Sequence, residues 1–177
     1  MLRIRKNIRL RNYDYATDGW YFVTICTRDR ECYFGKIENK TMSPSDIGIK
    51  AVEMWNEIPT HFPTTELAEF VVMPNHVHGI IGINHKQIDE DIVRTRHGVS
   101  PQVNFNQFGR TIPGSLSAII GQYKSSVTRW CNKNNRAPFG WQSRFHDHII
   151  RDQKEFDRIE GYIIANIENW DQDKFYI

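Results

Sequence analysis

Residues 67–83, LAEFVVMPNHVHGIIGI, hold two strand-like runs joined by a Pro-Asn pair. The run 67–73 is rich in β-branched and aromatic residues, Pro74-Asn75 is turn chemistry, and 76–83 returns as a second apolar run. Two such runs with a two-residue connection pair antiparallel. In the second, His76 and His78 flank Val77. Side chains alternate across a strand, so both imidazoles leave one face of the sheet and Val77 leaves the other.

Working outward, 20–27 (WYFVTICT) reads as a strand, and 31–41 continues with a weaker strand pattern that suits a hairpin. Ser43-Pro44-Ser45-Asp46 starts a helix with proline near its first position. Ile47, Ala51, Met54, Trp55 and Ile58 keep helical spacing, and Pro59 and Pro63 close that helix. Residues 84–114 lapse into polar residues, glycine and proline and read as a long surface loop. Ser115 then caps a helix in which Leu116, Ile119, Ile120, Tyr123, Val127 and Trp130 make an apolar stripe. The turn 132–140 leads into 141–151 (WQSRFHDHIIR), a fourth core strand, and a final helix spans 153–170. The first six of these elements follow the ferredoxin-like split βαβ order. The expected fold is α+β: an antiparallel sheet with helices on one face, an extra hairpin, and a C-terminal helix, in one domain over 1–177.

Composition narrows the class. With 40% hydrophobic and 25% charged residues the chain can build a core and remain soluble. No run approaches the roughly 18 apolar residues of a membrane span. The start lacks the apolar heart of a signal peptide, so the cytoplasm is the expected compartment. Cys26, Cys32 and Cys131 form no Cys-x-x-Cys, which excludes zinc-ribbon and thioredoxin readings and suits a reduced protein. Net charge is +2, yet Arg3, Arg5, Lys6, Arg9 and Arg11 put +5 on residues 1–11, leaving −3 for the rest. A basic arm over 1–19 can neutralise phosphates, or it can be a solvated tail.

Two groups of residues could carry chemistry. Two neutral imidazoles side by side, as at His76 and His78, can hold one divalent metal; the alternative is a polar pair on a solvated face. Tyr162 and Asn166 stand one turn apart on the last helix and share a face. A tyrosine can attack phosphorus and keep the strand as a phosphotyrosine, while an amide oxygen could complete a ligand set. Otherwise Tyr162 is a core aromatic beside Ile159 and Ile163. Tyr123 competes as nucleophile, next to Lys124, but its place in an apolar stripe points to packing. His146-Asp147-His148 is a second His-x-His, and a four-histidine site from both strands is conceivable. Lys124, Arg129, Lys133, Arg136, Arg144 and Arg151 could add to a nucleic-acid groove, with Trp141 or Phe145 for stacking.

Three segments in order, MPNHVHGII (73–81), WQSRFHDHIIR (141–151) and YIIANIENW (162–170), resemble the single-tyrosine "HUH" transposases of insertion sequences, most closely the REP-associated tyrosine transposases. The resemblance runs from 20 to 170. It implies that His76 and His78 are the metal pair, Tyr162 the nucleophile and Asn166 the third ligand. Asn166-Ile167 departs from the Asn-Pro common in that family. It also implies nicking and joining of single-stranded DNA through a 5′-phosphotyrosine, on hairpin-bearing repeats or element ends, by a monomer or homodimer. Mg²⁺ or Mn²⁺ suits a site that mixes nitrogen with oxygen and offers no thiolate. His148 would line the active site or touch DNA, or else make a structural hydrogen bond, and the basic arm would help read DNA beside a hairpin. The competing readings are a non-catalytic ferredoxin-like module for single-stranded nucleic acid and a decayed transposase.

Overall fold

A computed structural model of the chain describes residues 16–85, 112–136 and 138–177. The basic residues Arg3, Arg5, Lys6, Arg9 and Arg11 and most of the 84–114 segment lie outside the described residues. In chain order the elements are strand β1 (Gly19–Cys26), the hairpin strands β2 (Gly35–Glu38) and β3 (Thr41–Pro44), helix α1 (Asp46–Asn56) and the single turn α2 (Ile58–His61). Strands β4 (Thr65–Met73) and β5 (His76–Ile83), helix α3 (Leu116–Lys133), strand β6 (His146–Ile150) and helix α4 (Gln153–Ile164) follow.

β4, β5, β1 and β6 form one antiparallel sheet in that spatial order, which is the ferredoxin-like arrangement. β1 is central because its alternate residues are apolar on both faces. Tyr21, Val23 and Ile25 point to one side, where Val77, Ile81 and Ile83 of β5 and the stripes of α1 and α3 complete the main core. Trp20 and Phe22 point to the other side, with Ile80, Ile150 and the Ile159 and Ile163 of α4. The first two long helices thus cover one face, as the split βαβ order requires, and α4 covers the opposite one.

Burying a large apolar side chain is worth roughly 1.5–3 kcal/mol, so the fully buried Trp55 and Tyr123 weigh heavily. Trp55 lies over Gly79, where a Cβ would meet its ring at 2.2 Å. The β2–β3 hairpin turns through Asn39 and Lys40, both at positive φ (50° and 59°), the geometry whose twist matches the flanking strands.

Several boundaries differ from the sequence reading, and four of them bear on the packing. Ser45, not a proline, governs the start of α1: its hydroxyl accepts from the Gly48 amide at 3.1 Å, and Pro44 ends β3. α1 stops at Asn56, and Pro59 sits in the first turn of α2, where its missing N–H costs nothing. β6 is confined to the five residues His146–Ile150 at the sheet edge. Trp141 makes one isolated bridge to Thr27, just past β1, and ties its indole N–H to the Lys124 carbonyl (3.1 Å), which holds this stretch off the ladder before β6. The last helix ends at Ile164 instead of Trp170. Turning there lets Ile167, Trp170 and Phe175 bury against Cys26 and Met73 at the end of the sheet.

Candidate active site

The β1–β5 register sets His76 opposite Cys26 and His78 opposite Thr24, on the face that α4 covers. Both imidazoles are buried, at 0% and 1% exposure, with ring centroids 4.4 Å apart. The His76 orientation is fixed by its neighbour. Asn75 donates its side-chain amide to the Phe175 carbonyl at 2.9 Å, so its oxygen faces His76 Nδ1, also at 2.9 Å. An amide oxygen only accepts, so Nδ1 carries the proton and Nε2 keeps a bare lone pair. That Nε2 is buried with no hydrogen-bond partner in the protein. His78 Nδ1 lies 2.9 Å from Thr24 Oγ1 and its Nε2 lies 3.2 Å from Tyr162 Oη.

Burial holds both histidines neutral. It pushes His76 down to about 2, helped by His78 and by the positive charges of Lys174 and Arg30. It pushes His78 down to about 4, against the pull of Asp173. Neutral imidazole is the form that binds a metal.

Tyr162 stands on α4, whose Ile159 and Ile163 fasten the helix to the sheet. Its ring meets Phe22 and His78 edge-on, with centroids at 6.2 and 5.3 Å, and it remains 40% exposed. The phenol donates to Asp173 Oδ2 at 3.2 Å. Burial and the Asp173 charge push it up to about 12, while a hydrogen bond from the Asn166 side chain pulls the other way. Asn166 follows the end of α4 and is 3% exposed, with its Oδ1 lacking a hydrogen-bond partner in the protein. His76 Nε2 and Asn166 Oδ1 are therefore two buried lone pairs without a proton to accept, which fits a cation.

Asp173 is the residue that sequence reasoning missed. His76, His78 and Asp173 each offer a ligand atom, all within 4.8 Å of one another. Its other oxygen accepts the Phe175 amide at 2.6 Å, which anchors the returning tail. The spacing from Tyr162 follows no helical or strand period, so the only signal in the chain was an acid within DQD (171–173).

The remaining sequence candidates fall in different places. His148 shares with Phe22, His78, Arg158, Tyr162 and Lys174 the wall of a cleft of about 290 Å³. It also bonds Glu155 at 2.7 Å. The Arg151 amide and then His148 hold the Glu155 carboxyl below its usual range. His146 is exposed on the same sheet face and joins no metal-holding group among the described residues. Tyr123 is sealed in the main core, donating to the Ala51 carbonyl at 3.2 Å, and burial pushes its pKa far up. Lys124 is half-buried and donates to the Gln142 carbonyl at 2.6 Å, while Arg144 and Arg151 are exposed.

No protein-family model matches the chain. An uncharacterised protein of Haemophilus influenzae is 37% identical over 174 residues, which is 98% of this chain and 93% of that protein. Among solved structures, a REP-associated tyrosine transposase bound to a REP hairpin is similar with a TM-score of 0.60 at 20% identity. That likeness covers 94% of this chain and 76% of the other, and it is a likeness of fold. No described helix is long and apolar enough to cross a membrane.

Proposed function

The chain belongs to one family with the Haemophilus influenzae protein and has the fold of the REP-associated tyrosine transposase, and we propose that it is a metal-dependent transposase. It nicks and rejoins single-stranded DNA through a 5′-phosphotyrosine on Tyr162. The observation that carries this reading is the meeting of the Tyr162 hydroxyl with His78 Nε2, 3.2 Å apart, beside the partnerless buried atoms His76 Nε2 and Asn166 Oδ1.

Mg²⁺ or Mn²⁺ would be held by His76 and His78 with the partnerless amide oxygen of Asn166, and when bound would supply Lewis-acid polarisation of the scissile phosphate. The rest falls to the chain. With its pKa at about 12, Tyr162 is a neutral phenol at pH 7 and needs a proton acceptor. Asp173 Oδ2 is that acceptor, already hydrogen-bonded to the phenol at 3.2 Å. Tyr162 Oη forms a bond to phosphorus, its proton passes to Asp173, the bond from phosphorus to O3′ breaks, and water protonates O3′ to a free hydroxyl. Lys174 and Arg158, in the same cleft, face the charge that builds on the phosphate. The phosphodiester energy stays in the phosphotyrosine, so another 3′-hydroxyl reverses the step and joins strands.

A module that binds nucleic acid on a ferredoxin-like sheet presents stacking residues on an open face. Here α1 and α3 cover one face and α4 the other, which favours the enzyme. The test is covalent trapping on hairpin-bearing single-stranded DNA with Mg²⁺ or Mn²⁺, for the wild type and Tyr162→Phe. The expected result is a denaturant-stable adduct that needs metal and vanishes in the variant. An adduct that persists in Tyr162→Phe overturns the nucleophile, and binding without any adduct over a broad oligonucleotide pool returns the chain to the binding-module class.

A further inference from the structure

Away from Tyr162, the surface where β1 ends carries cations that the proposed chemistry does not use. Beyond Cys26 the chain presents Arg28 and Arg30, both exposed, and the 139–143 segment runs beside them. The Arg28 amide donates to the Gly140 carbonyl at 2.8 Å, and the Gln142 amide to the Cys26 carbonyl at 2.9 Å. The Arg28 guanidinium lies directly over Gly140, where a Cβ would meet it at 2.6 Å. Helix α3 closes the other wall, with Lys124 fixed to the Gln142 carbonyl at 2.6 Å and Arg129 exposed.

Two hollows result. One of about 560 Å³ runs between Arg28, Lys124, Arg129 and the 139–143 segment. The other, of about 780 Å³, is lined by Arg28 and Arg30 with Trp141, Gln142 and Ser143, and has Asp29 on its rim. They share Arg28, Trp141, Gln142 and Ser143, so they adjoin along that segment and together form a grooved surface. Among the described residues, neither Arg28 nor Arg129 has an ion-pair partner. At its near end, Arg30 stands 5.5 Å over the Phe175 ring, and Phe175 packs on His76 with centroids 4.6 Å apart. The groove therefore starts beside the histidine face of the sheet and turns round the end of β1 to α3 on the opposite face.

We infer that this groove is the track of the single strand flanking the scissile phosphate, with Arg28, Arg30 and Arg129 on successive backbone phosphates. The inference rests on the proposed DNA function and specifies where its substrate lies. A concave path with unpaired guanidinium groups fits a polyanion. The turn from one sheet face to the other selects its form. Duplex DNA keeps its direction over about 150 base pairs and cannot follow a bend within one small sheet, whereas a single strand can.

The experiment is fluorescence-anisotropy binding of a mixed-sequence single strand against salt concentration. It compares wild type, Arg28→Ala/Arg129→Ala, and Lys36→Ala/Lys40→Ala on the β2–β3 hairpin, whose lysines line neither hollow and whose loss removes the same net charge. Each lost phosphate contact to a single strand lowers the slope of log K against log salt by about 0.7, so the groove variant loses about 1.4 and the hairpin variant almost nothing. An unchanged slope in the groove variant, or an equal loss in the hairpin variant, overturns the track. An equal loss on a blunt duplex probe overturns its assignment to a single strand. The Tyr162 adduct is scored separately, on the wild type. Failure of the track with the adduct intact is thus separate from failure of the function, in which the wild type forms no adduct.

Discussion

Asn75 decides which nitrogen of His76 is free. Its amide donates to the Phe175 carbonyl, its oxygen takes the His76 Nδ1 proton, and Nε2 is left turned into the site. Outer partners of this kind fix ring and tautomer, and their loss costs about 10–100-fold in metal affinity. Asn75→Ala should weaken Mn²⁺ binding by that factor without removing a ligand, as read by titrating thermal stabilisation of the protein with Mn²⁺. An affinity equal to wild type would mean that the histidine needs no such guide. Asp173 gives a second prediction, because two readouts move in opposite senses. Asp173→Asn removes the negative charge that raises Tyr162, so the phenol pKa should fall from about 12 toward its ordinary value, seen as phenolate absorbance against a Tyr162→Phe blank. If Asp173 is the proton acceptor, adduct formation nonetheless slows by about 10²–10⁴-fold. A faster reaction would make Asp173 a mere electrostatic neighbour.

At the scale of elements, the site depends on how closely β5 lies against the helices behind it. Gly79 follows His78, and a Cβ there would strike Trp55 at 2.2 Å and Phe70 at 3.1 Å. Gly79→Ala should cost about 1–3 kcal/mol through overpacking, measured as a lower urea midpoint with an unchanged slope. A midpoint equal to wild type would show that Trp55 can move aside freely. The same strand explains what the sequence disclosed. A period of two is rigid, so His76, Val77 and His78 could be sorted to their faces from the letters alone, and the strand order followed from the split βαβ pattern. A period of 3.6 was a weaker guide at α4. Tyr162 and Asn166 do meet, but the helix stops at Ile164 and Asn166 arrives by a turn. Asp173 was illegible because its position comes from a tail folded on Cys26 and Met73, where backbone periodicity carries no information. The β6 edge strand was overextended because apolar residues in 141–145 serve α3 and the core instead of a ladder.

At the scale of the whole molecule, two neutral histidines sealed between the sheet and α4 couple folding to pH. In the unfolded chain a histidine titrates near 6.5, whereas in the fold His76 lies at about 2 and His78 at about 4. The folded values are depressed, and for a base this means that the unfolded state takes up protons first. Stability is therefore complete above pH 6.5 and falls as pH drops through the window from 6.5 toward 4, where His78 also begins to charge in place. At pH 5 each histidine accounts for about 2 kcal/mol, and the pair for roughly 4, against a total stability of about 5–15 kcal/mol for an ordinary domain. Metal-free protein should lose much of its urea resistance between pH 7 and pH 5. A bound divalent ion should add stability at pH 7 and progressively less in acid, since protons compete for the same nitrogens. His76→Gln removes one of the two buried bases, so its loss between pH 7 and pH 5 should be about half that of wild type, whatever its stability at pH 7. Parallel losses in wild type and variant would place the acid sensitivity in other groups and leave these two histidines without a part in it.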